Sequence, residues 1–155
     1  VTDGVVEAIE GADLLILGPG SLYTSIIPNI LVPGVKEAIQ RSNAKKVYIS
    51  NIMTEPGETD HFTVSKHVIE LEKYLGENTI HTIIANDSIH VEQDILQRYW
   101  DTAAELVRVD YEKLVKLNKE VITDKFIYIN ENNHLRHNSN KIANYLLIAL
   151  FESTK

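Results

Sequence analysis

The sequence predicts an α/β fold, a Rossmann-like three-layer sandwich with a mostly parallel sheet. Three observations lead there. Short, largely apolar runs of strand length recur: LLIL at 14–17, VYIS at 47–50 and IHTIIA at 80–85. Strands buried on both faces of a parallel sheet read this way. Helix-length amphipathic segments lie between them, as parallel crossovers require. All four prolines fall between residues 19 and 56, and one glycine lies beyond Gly57. Unusual backbone geometry is thus concentrated after the first two strands, at the sheet edge where open α/β folds bind ligands.

Val5, Val6 and Ile9 fall at helical spacing, and Gly11 is a helix stop. Leu14–Leu17 is the first strand. Pro33 opens a helix whose apolar stripe is Val35, Ala38 and Ile39. Val47–Ser50 is the second strand. A helix runs from Thr63 to about Tyr74, closed by Gly76, with Thr59 or Asp60 as candidate N-caps. Ile80–Ala85 is the third strand. His90 to about Ala104 is helical, with Ile95 and Tyr99 on one face. Leu106–Val109 (LVRV) reads as a short fourth strand and Val121–Ile129 as another strand region. Ser139 is positioned to cap a last helix reaching Phe151. No repeat, low-complexity run or linker divides the chain.

At 155 residues the chain is one domain's worth of material. A net charge of −7 argues against general nucleic-acid binding, which calls for a basic face. No apolar run approaches a membrane span and no signal pattern opens the chain. Cysteine is absent, which removes thiol chemistry and fits a reducing cytoplasm. The first residue is Val and a helix begins almost at once. The expectation is the C-terminal half of a larger domain, residues 1–155 being a single domain portion.

Two loops carry the candidate chemistry. Loop one, GPGSLYTSIIPN at 18–29, follows the first strand. Gly18 and Gly20 allow close backbone approach, and Pro19 fixes the turn between them. Successive N–H groups there can form an anion nest without a lysine. Ser21, Thr24, Ser25 and Asn29 add polar groups. The alternative is a tight turn whose hydroxyls only cap a helix. Loop two, NIMTEPGETDH at 51–61, follows the second strand and gathers Asn51, Thr54, Glu55, Gly57, Glu58, Thr59 and Asp60 around a Pro-Gly turn. A third segment, HLRHNSN at 134–140, offers the forked donors of Arg136 for phosphate, or simply a solvated turn. Asn86-Asp87-Ser88 follows the third strand at the same edge and is a further contributor or a helix cap.

Sharper motifs fail. Loop one lacks the phosphate-loop lysine, the G-x-G-x-x-G spacing and the G-x-S-x-G elbow. His134 and His137 sit three apart with no evident third ligand for zinc. Trp100, Tyr99 and Tyr145 read as core or interface residues rather than a stacking platform. Glu55, Glu58 and Asp60 could hold Mg²⁺ through oxygen, against the default of exposed acids in a turn.

The long motifs ADLLILGPGSLYTSIIPNILVPGVKEAI and VYISNIMTEPGETDHFTVSKHV, with IIANDS and LRHNSNKIA further on, resemble the bacterial gluconeogenesis factor family of the YvcK type. That family is related in fold to 2-phospho-L-lactate transferase. The resemblance covers essentially the whole chain. The family's N-terminal glycine-rich loop and Asp-Asp-Gly-Gly-Ser-Ser type segment are absent from this sequence, in keeping with a C-terminal half. The resemblance implies a Rossmann-like domain binding a nucleotide-linked ligand, UDP-N-acetylglucosamine above all. It implies a cytoplasmic regulator of carbon metabolism, cell-wall homeostasis and cell shape, free of nucleic acid and membrane span and compatible with a homo-oligomer. The site it implies comprises Gly18, Pro19, Gly20, Ser21, Thr24 and Ser25, then Asn51, Thr54, Gly57, Glu58 and Thr59, with Arg136 on the diphosphate or sugar. The alternative is a Mg²⁺-dependent transferase acting on a nucleoside-diphosphate-linked substrate through Glu55, Glu58 and Asp60. A nicotinamide-dependent oxidoreductase fits less, since the acid that binds the adenosine ribose is not recognisable after loop one.

Overall fold

The computed structural model describes residues 3–88 and 91–153. Four parallel strands form one sheet in sequence order: β1 (Leu14–Leu17), β2 (Lys45–Ile49), β3 (Thr82–Asn86) and β4 (Glu120–Asp124). The register sets Leu17 opposite Tyr48, Ile49 opposite Ile84, and Asn86 opposite Asp124. β2 thus runs one residue beyond the end of β1, β3 two beyond β2, and β3 and β4 end level, so the following loops emerge on one edge.

Alternation along the strands builds two cores. Tyr48, Ile83 and Ala85 face one side, where they pack with α2 (Ile27–Ile30), α3 (Val35–Arg41) and α4 (Val64–Leu75) through Ile27, Ile30, Ile39, Val68 and Leu71. Val47, Ile49 and Ile84 face the other side, where Ile142 and Leu146 of α7 (Ser139–Ser153) and Phe126 cover them. Each such buried aliphatic side chain is worth about 1.5–3 kcal/mol relative to exposure. The two helical layers make the three-layer sandwich expected from the apolar strands. α1 (Val5–Glu10) packs on α3, and Arg41 pairs with Glu10 at 2.6 Å.

Several expected elements resolve differently. Loop one is helical in its second half: a π-helical turn at Leu22–Ile26 runs into α2, with Pro28 in its first turn. Pro33 precedes α3 rather than starting it, since Gly34 at φ 89° makes the turn into Val35. Leu106–Val109 is not a sheet strand. Leu106 makes an isolated antiparallel bridge with Met53, Val107 N–H donates to Ile52 O at 2.9 Å, and Val64 N–H donates to Arg108 O at 3.0 Å. This run fastens loop two and the start of α4 to the body instead of extending the sheet. The 121–129 region splits between β4 and β5 (Ile127–Ile129), and β5 pairs antiparallel with β6 (Leu135–His137). The HLRHNSN segment is therefore partly strand. His90 lies outside the described residues; its expected helix appears as α5 (Gln93–Trp100), with Ile95 and Tyr99 packed in a third cluster. A short α6 (Tyr111–Lys116) precedes β4.

The helix caps also differ from expectation. Thr59 Oγ1 accepts Glu55 N–H at 2.8 Å and Asp60 accepts Gly57 N–H at 2.9 Å, so both brace the turn of loop two. Thr63 holds the N-cap position of α4, but the capping acceptor comes from far along the chain. Asp110 accepts Ser65 N–H at 3.0 Å, Thr63 Oγ1 at 2.8 Å and Ser65 Oγ at 2.5 Å. At α7 the cap is Asn138, whose Oδ1 accepts Lys141 N–H at 3.1 Å, with Ser139 the first helical residue.

Burial raises the proton affinity of the Asp110 carboxyl, but the donors of Ser65 and Thr63 outweigh it and hold the group below its ordinary 3.8. A depressed carboxylate contributes stability above its unfolded pKa and loses it as pH falls through the folded value. Asp110→Asn is expected to cost about 1–3 kcal/mol at pH 7. The gap to wild type should close as pH drops below the carboxylate range, as read by urea melts at several pH values.

Candidate functional site

The site begins where β1 ends. Gly18 has φ 83°, and a Cβ there would lie 2.8 Å from Ile49 O at the end of β2. Only glycine fits a left-handed residue pressed against a neighbouring carbonyl. A cis Gly18-Pro19 bond then carries the chain over the sheet edge to Gly20 and Ser21. Ser21 O accepts the N–H groups of both Ser25 and Ile26 at 3.0 Å, which winds the π-helical turn. The N–H groups of Gly20 and Ser21 have no acceptor among the described residues. Leu22, fully buried, and Ile26 anchor the turn in the core. Burial and the Glu70 carboxylate push the Tyr23 phenol up to about 12, so Tyr23 is a neutral pin.

Loop two meets loop one through side chains. Ser21 Oγ donates to Glu58 Oε2 at 2.8 Å, and Thr24 Oγ1 donates to Ser21 Oγ at 2.7 Å. These hydroxyl protons are thus committed between the loops. Below them, Thr54 Oγ1 accepts Glu105 N–H at 2.9 Å and Thr54 N–H donates to Glu105 O at 2.7 Å. Thr54 and Thr59 are buried braces under loop two.

A cleft of about 350 Å³ opens between the loops and the β5–β6 hairpin. It brings together Pro19, Gly20, Ser21 and Asn51 from the expected set, with Arg136 and also Glu55. Gly18 and Ser25 face a neighbouring apolar hollow of about 420 Å³ along β1, which shares Pro19 and Gly20 with the cleft. Thr24 and Glu58 act on the cleft through Ser21, and Gly57 stands at the exposed tip of loop two with φ 81°. Asn86, Asp87 and Ser88 line a separate hollow with Leu106–Val109 and Tyr111.

Residues the sequence reading did not assign complete the walls: Ile52, Met53, Tyr99, Leu135 and His137. Tyr99 sits on α5 and its hydroxyl accepts Leu135 N–H at 3.0 Å, which fixes the hairpin against the helix. His137 reaches from β6 to the end of β2, its Nε2 lying 3.0 Å from Ser50 O. A carbonyl accepts only, so Nε2 carries the proton and Nδ1 keeps its lone pair. Burial lowers the His137 pKa below 6.5, partly offset by the Ser50 carbonyl, and the ring is neutral at pH 7. Asn51 Oδ1 is buried without a partner. Arg136 is exposed and makes no ion pair among the described residues. Among those residues no group of three or more His, Asp or Glu is arranged to hold a metal ion. The Mg²⁺ set is dispersed: Glu55 lines the cleft, Glu58 binds Ser21 and Asp60 binds Gly57. No helix of the described residues is long and apolar enough to cross a membrane.

Comparison with known proteins gives a consistent picture. A family described as 2-phospho-L-lactate transferase CofD matches residues 1–127. The chain is similar to the gluconeogenesis factor of Bacillus subtilis, 43% identical over 95% of this chain and 46% of the relative. It is likewise similar to the gluconeogenesis factor of Halalkalibacterium halodurans, 41% identical over 92% of this chain and 44% of the relative. A solved structure of a UPF0052 family member from Bacillus halodurans superposes with a TM-score of 0.87 at 41% identity, covering 92% of this chain and 45% of that one. The chain therefore spans somewhat under half the length of these relatives.

Two expectations follow from the loop geometry. Gly18→Ala should destabilise by more than about 1 kcal/mol, because strain at positive φ adds to the contact with Ile49 O; a chemical-denaturation midpoint reads it. Glu58→Ala should release Ser21 and raise amide hydrogen exchange across 20–26 while leaving the rates of β3 unchanged.

Proposed function

The chain belongs to the gluconeogenesis factor family, related to the 2-phospho-L-lactate transferase CofD, and from that premise we propose that it binds a nucleotide sugar as a regulatory protein. The ligand class is a UDP-sugar of the UDP-N-acetylglucosamine kind. The role is control of carbon metabolism, cell-wall homeostasis and cell shape from the cytoplasm, by the C-terminal half of a larger nucleotide-binding domain.

One observation carries the reading. Unpaired donors meet in one cleft at the C-terminal edge of a parallel sheet: Gly20 N–H, Ser21 N–H and the Arg136 guanidinium. Preorganised N–H groups and a guanidinium favour a diphosphate without a lysine. The cleft volume of about 350 Å³ suits part of a nucleotide sugar, with the rest left to the neighbouring hollow or to the remainder of a longer protein. The walls of Ile52, Met53, Leu135 and Tyr99 supply the apolar surface that such sites use against a ring. A transferase acting on a nucleoside-diphosphate-linked substrate is the second reading, favoured by the match to the transferase family over residues 1–127. Product formation with Mg²⁺ would favour it over a purely sensing role.

The test is calorimetric titration of the full-length protein with UDP-N-acetylglucosamine, with Arg136→Ala in parallel. A lost charge-assisted contact to phosphate should weaken binding by roughly 10- to 100-fold. Equal affinity in the variant removes Arg136 from the site, and no binding by wild type removes the ligand.

A further inference from the structure

Beyond the phosphate-binding donors, the cleft holds two polar groups of the opposite kind. His137 is locked by Ser50 O at 3.0 Å, which forces its proton onto Nε2 and leaves Nδ1 as an acceptor. Nδ1 has no partner among the described residues. Asn51 is 9% exposed, its Oδ1 is buried and unpaired, and its residue lines the same cleft. A buried amide oxygen left without a partner costs on the order of 1–3 kcal/mol, so a second group is expected to satisfy it in the working state.

A diphosphate cannot be that group. Its oxygens are deprotonated and only accept, so they leave His137 Nδ1 and Asn51 Oδ1 unsatisfied and set oxygen against lone pair. A sugar hydroxyl can donate to His137 Nδ1, and to Asn51 Oδ1 once the amide, whose oxygen is closed off in the empty cleft, turns toward the ligand; the Asn51 amide can also donate to a neighbouring hydroxyl. We infer that Asn51 and His137 form the glycosyl subsite of the cleft, orienting the ligand with its phosphates on Gly20, Ser21 and Arg136 and its sugar hydroxyls on the Asn51–His137 pair. This assignment rests on the nucleotide-sugar reading and adds the direction in which the ligand lies. The pair sits at the end of β2 and on β6, so the sugar bridges the sheet and the hairpin. Ser50 O links them, because Ser50 directly follows β2, precedes Asn51 and fixes the histidine tautomer.

The experiment compares UDP-N-acetylglucosamine with UDP on the full-length protein by calorimetry, in wild type, Asn51→Ala and His137→Gln. Glutamine can keep the donor to Ser50 O while lacking the ring acceptor. Wild type should bind the sugar nucleotide more tightly than UDP, and the ratio of the two affinities should fall roughly five- to tenfold in each variant. Asn51→Ala should melt no lower than wild type, since it removes an unsatisfied buried group rather than a contact. An equal loss for both ligands would show that the pair reads the nucleotide, and an unchanged ratio that it reads nothing. A fall of several degrees in the melting temperature of Asn51→Ala would make its role structural. Any of these overturns the assignment alone, as does a wild type that binds both probes equally. A wild type that binds neither probe overturns the nucleotide-sugar reading, and the subsite falls with it.

Discussion

The organisation of this molecule depends on the parallel pairing of β1 with β2 in a register that ends β1 one residue short of β2. Leu17 lies opposite Tyr48, so the residue after β1 stands beside Ile49 O. The chain must leave the sheet there without a side chain, and Gly18 does so. With the two strand ends this close, Ser21 of loop one meets Glu58 of loop two at 2.8 Å. The cleft is a consequence of register first and of loop composition second. The crossover helices then tie the loops down: Ile27 and Ile30 of α2 and Val64 and Val68 of α4 pack in one core against the sheet.

The sheet was legible in the sequence because its inner strands are apolar on both faces. Val47 and Ile49 serve one core and Tyr48 the other, which no half-exposed strand would allow. The run LVRV at 106–109 has the same local character yet joins no sheet. Its fate is decided by Ile52 O and Met53, more than fifty residues away, and no local pattern records that. The true β4, EVITD, was partly hidden by its polar ends, Glu120 and Asp124, whose partners are Thr82, Lys45, Lys141 and Tyr145 on other elements. Loops one and two were recognisable from glycine, proline and hydroxyl content. The division of labour inside them was not. Thr54 and Thr59 look like ligand contacts in sequence, but both are buried and their hydroxyl oxygens accept backbone N–H groups of the fold. His137 stands out in the sequence only through its spacing from His134, because its place in the cleft depends on a contact with Ser50, 87 residues earlier. Tyr99, a core or interface residue by sequence, packs half-buried against the third cluster and also walls the cleft.

Long-range caps show how the same chemistry can serve structure. Asp110 is acidic, partly buried and surrounded by hydroxyls, the description of many ligand sites. Every one of its close donors is nevertheless internal, from Ser65 and Thr63 at the start of α4. The group joins the N-terminus of α4 to the segment entering α6, and it does so with hydrogen bonds that exist only in the folded chain. Its depressed pKa reports that satisfaction and points to no unmet demand.

The contrast between the two edges of the sheet identifies where an unmet demand lies. At the edge where the strands begin, polar groups are paired with one another. Lys45 holds Glu120 at 2.9 Å, Lys119 holds Glu72 at 2.8 Å, His81 Nδ1 accepts Lys46 N–H at 3.0 Å, and Lys46 Nζ donates to Ser42 O. Lys119 and Lys46 are buried, and a buried ammonium is tolerated because its acceptors are in place. At the edge where the strands end, Gly20, Ser21, Asn51, Arg136 and His137 line one cleft, and the Gly20 and Ser21 N–H groups, the Arg136 guanidinium, Asn51 Oδ1 and His137 Nδ1 have no partner among the described residues. A fold able to satisfy buried lysines at one end could have filled Asn51's position with an apolar residue at the other, at a gain in stability. Tyr48 Oη and His67 Nε2 are also buried without a partner, but singly and away from the cleft lining; the gathering of unpaired donors and acceptors on the residues of one cleft is the physical argument for a polar ligand bearing acceptors at one end and hydroxyls at the other.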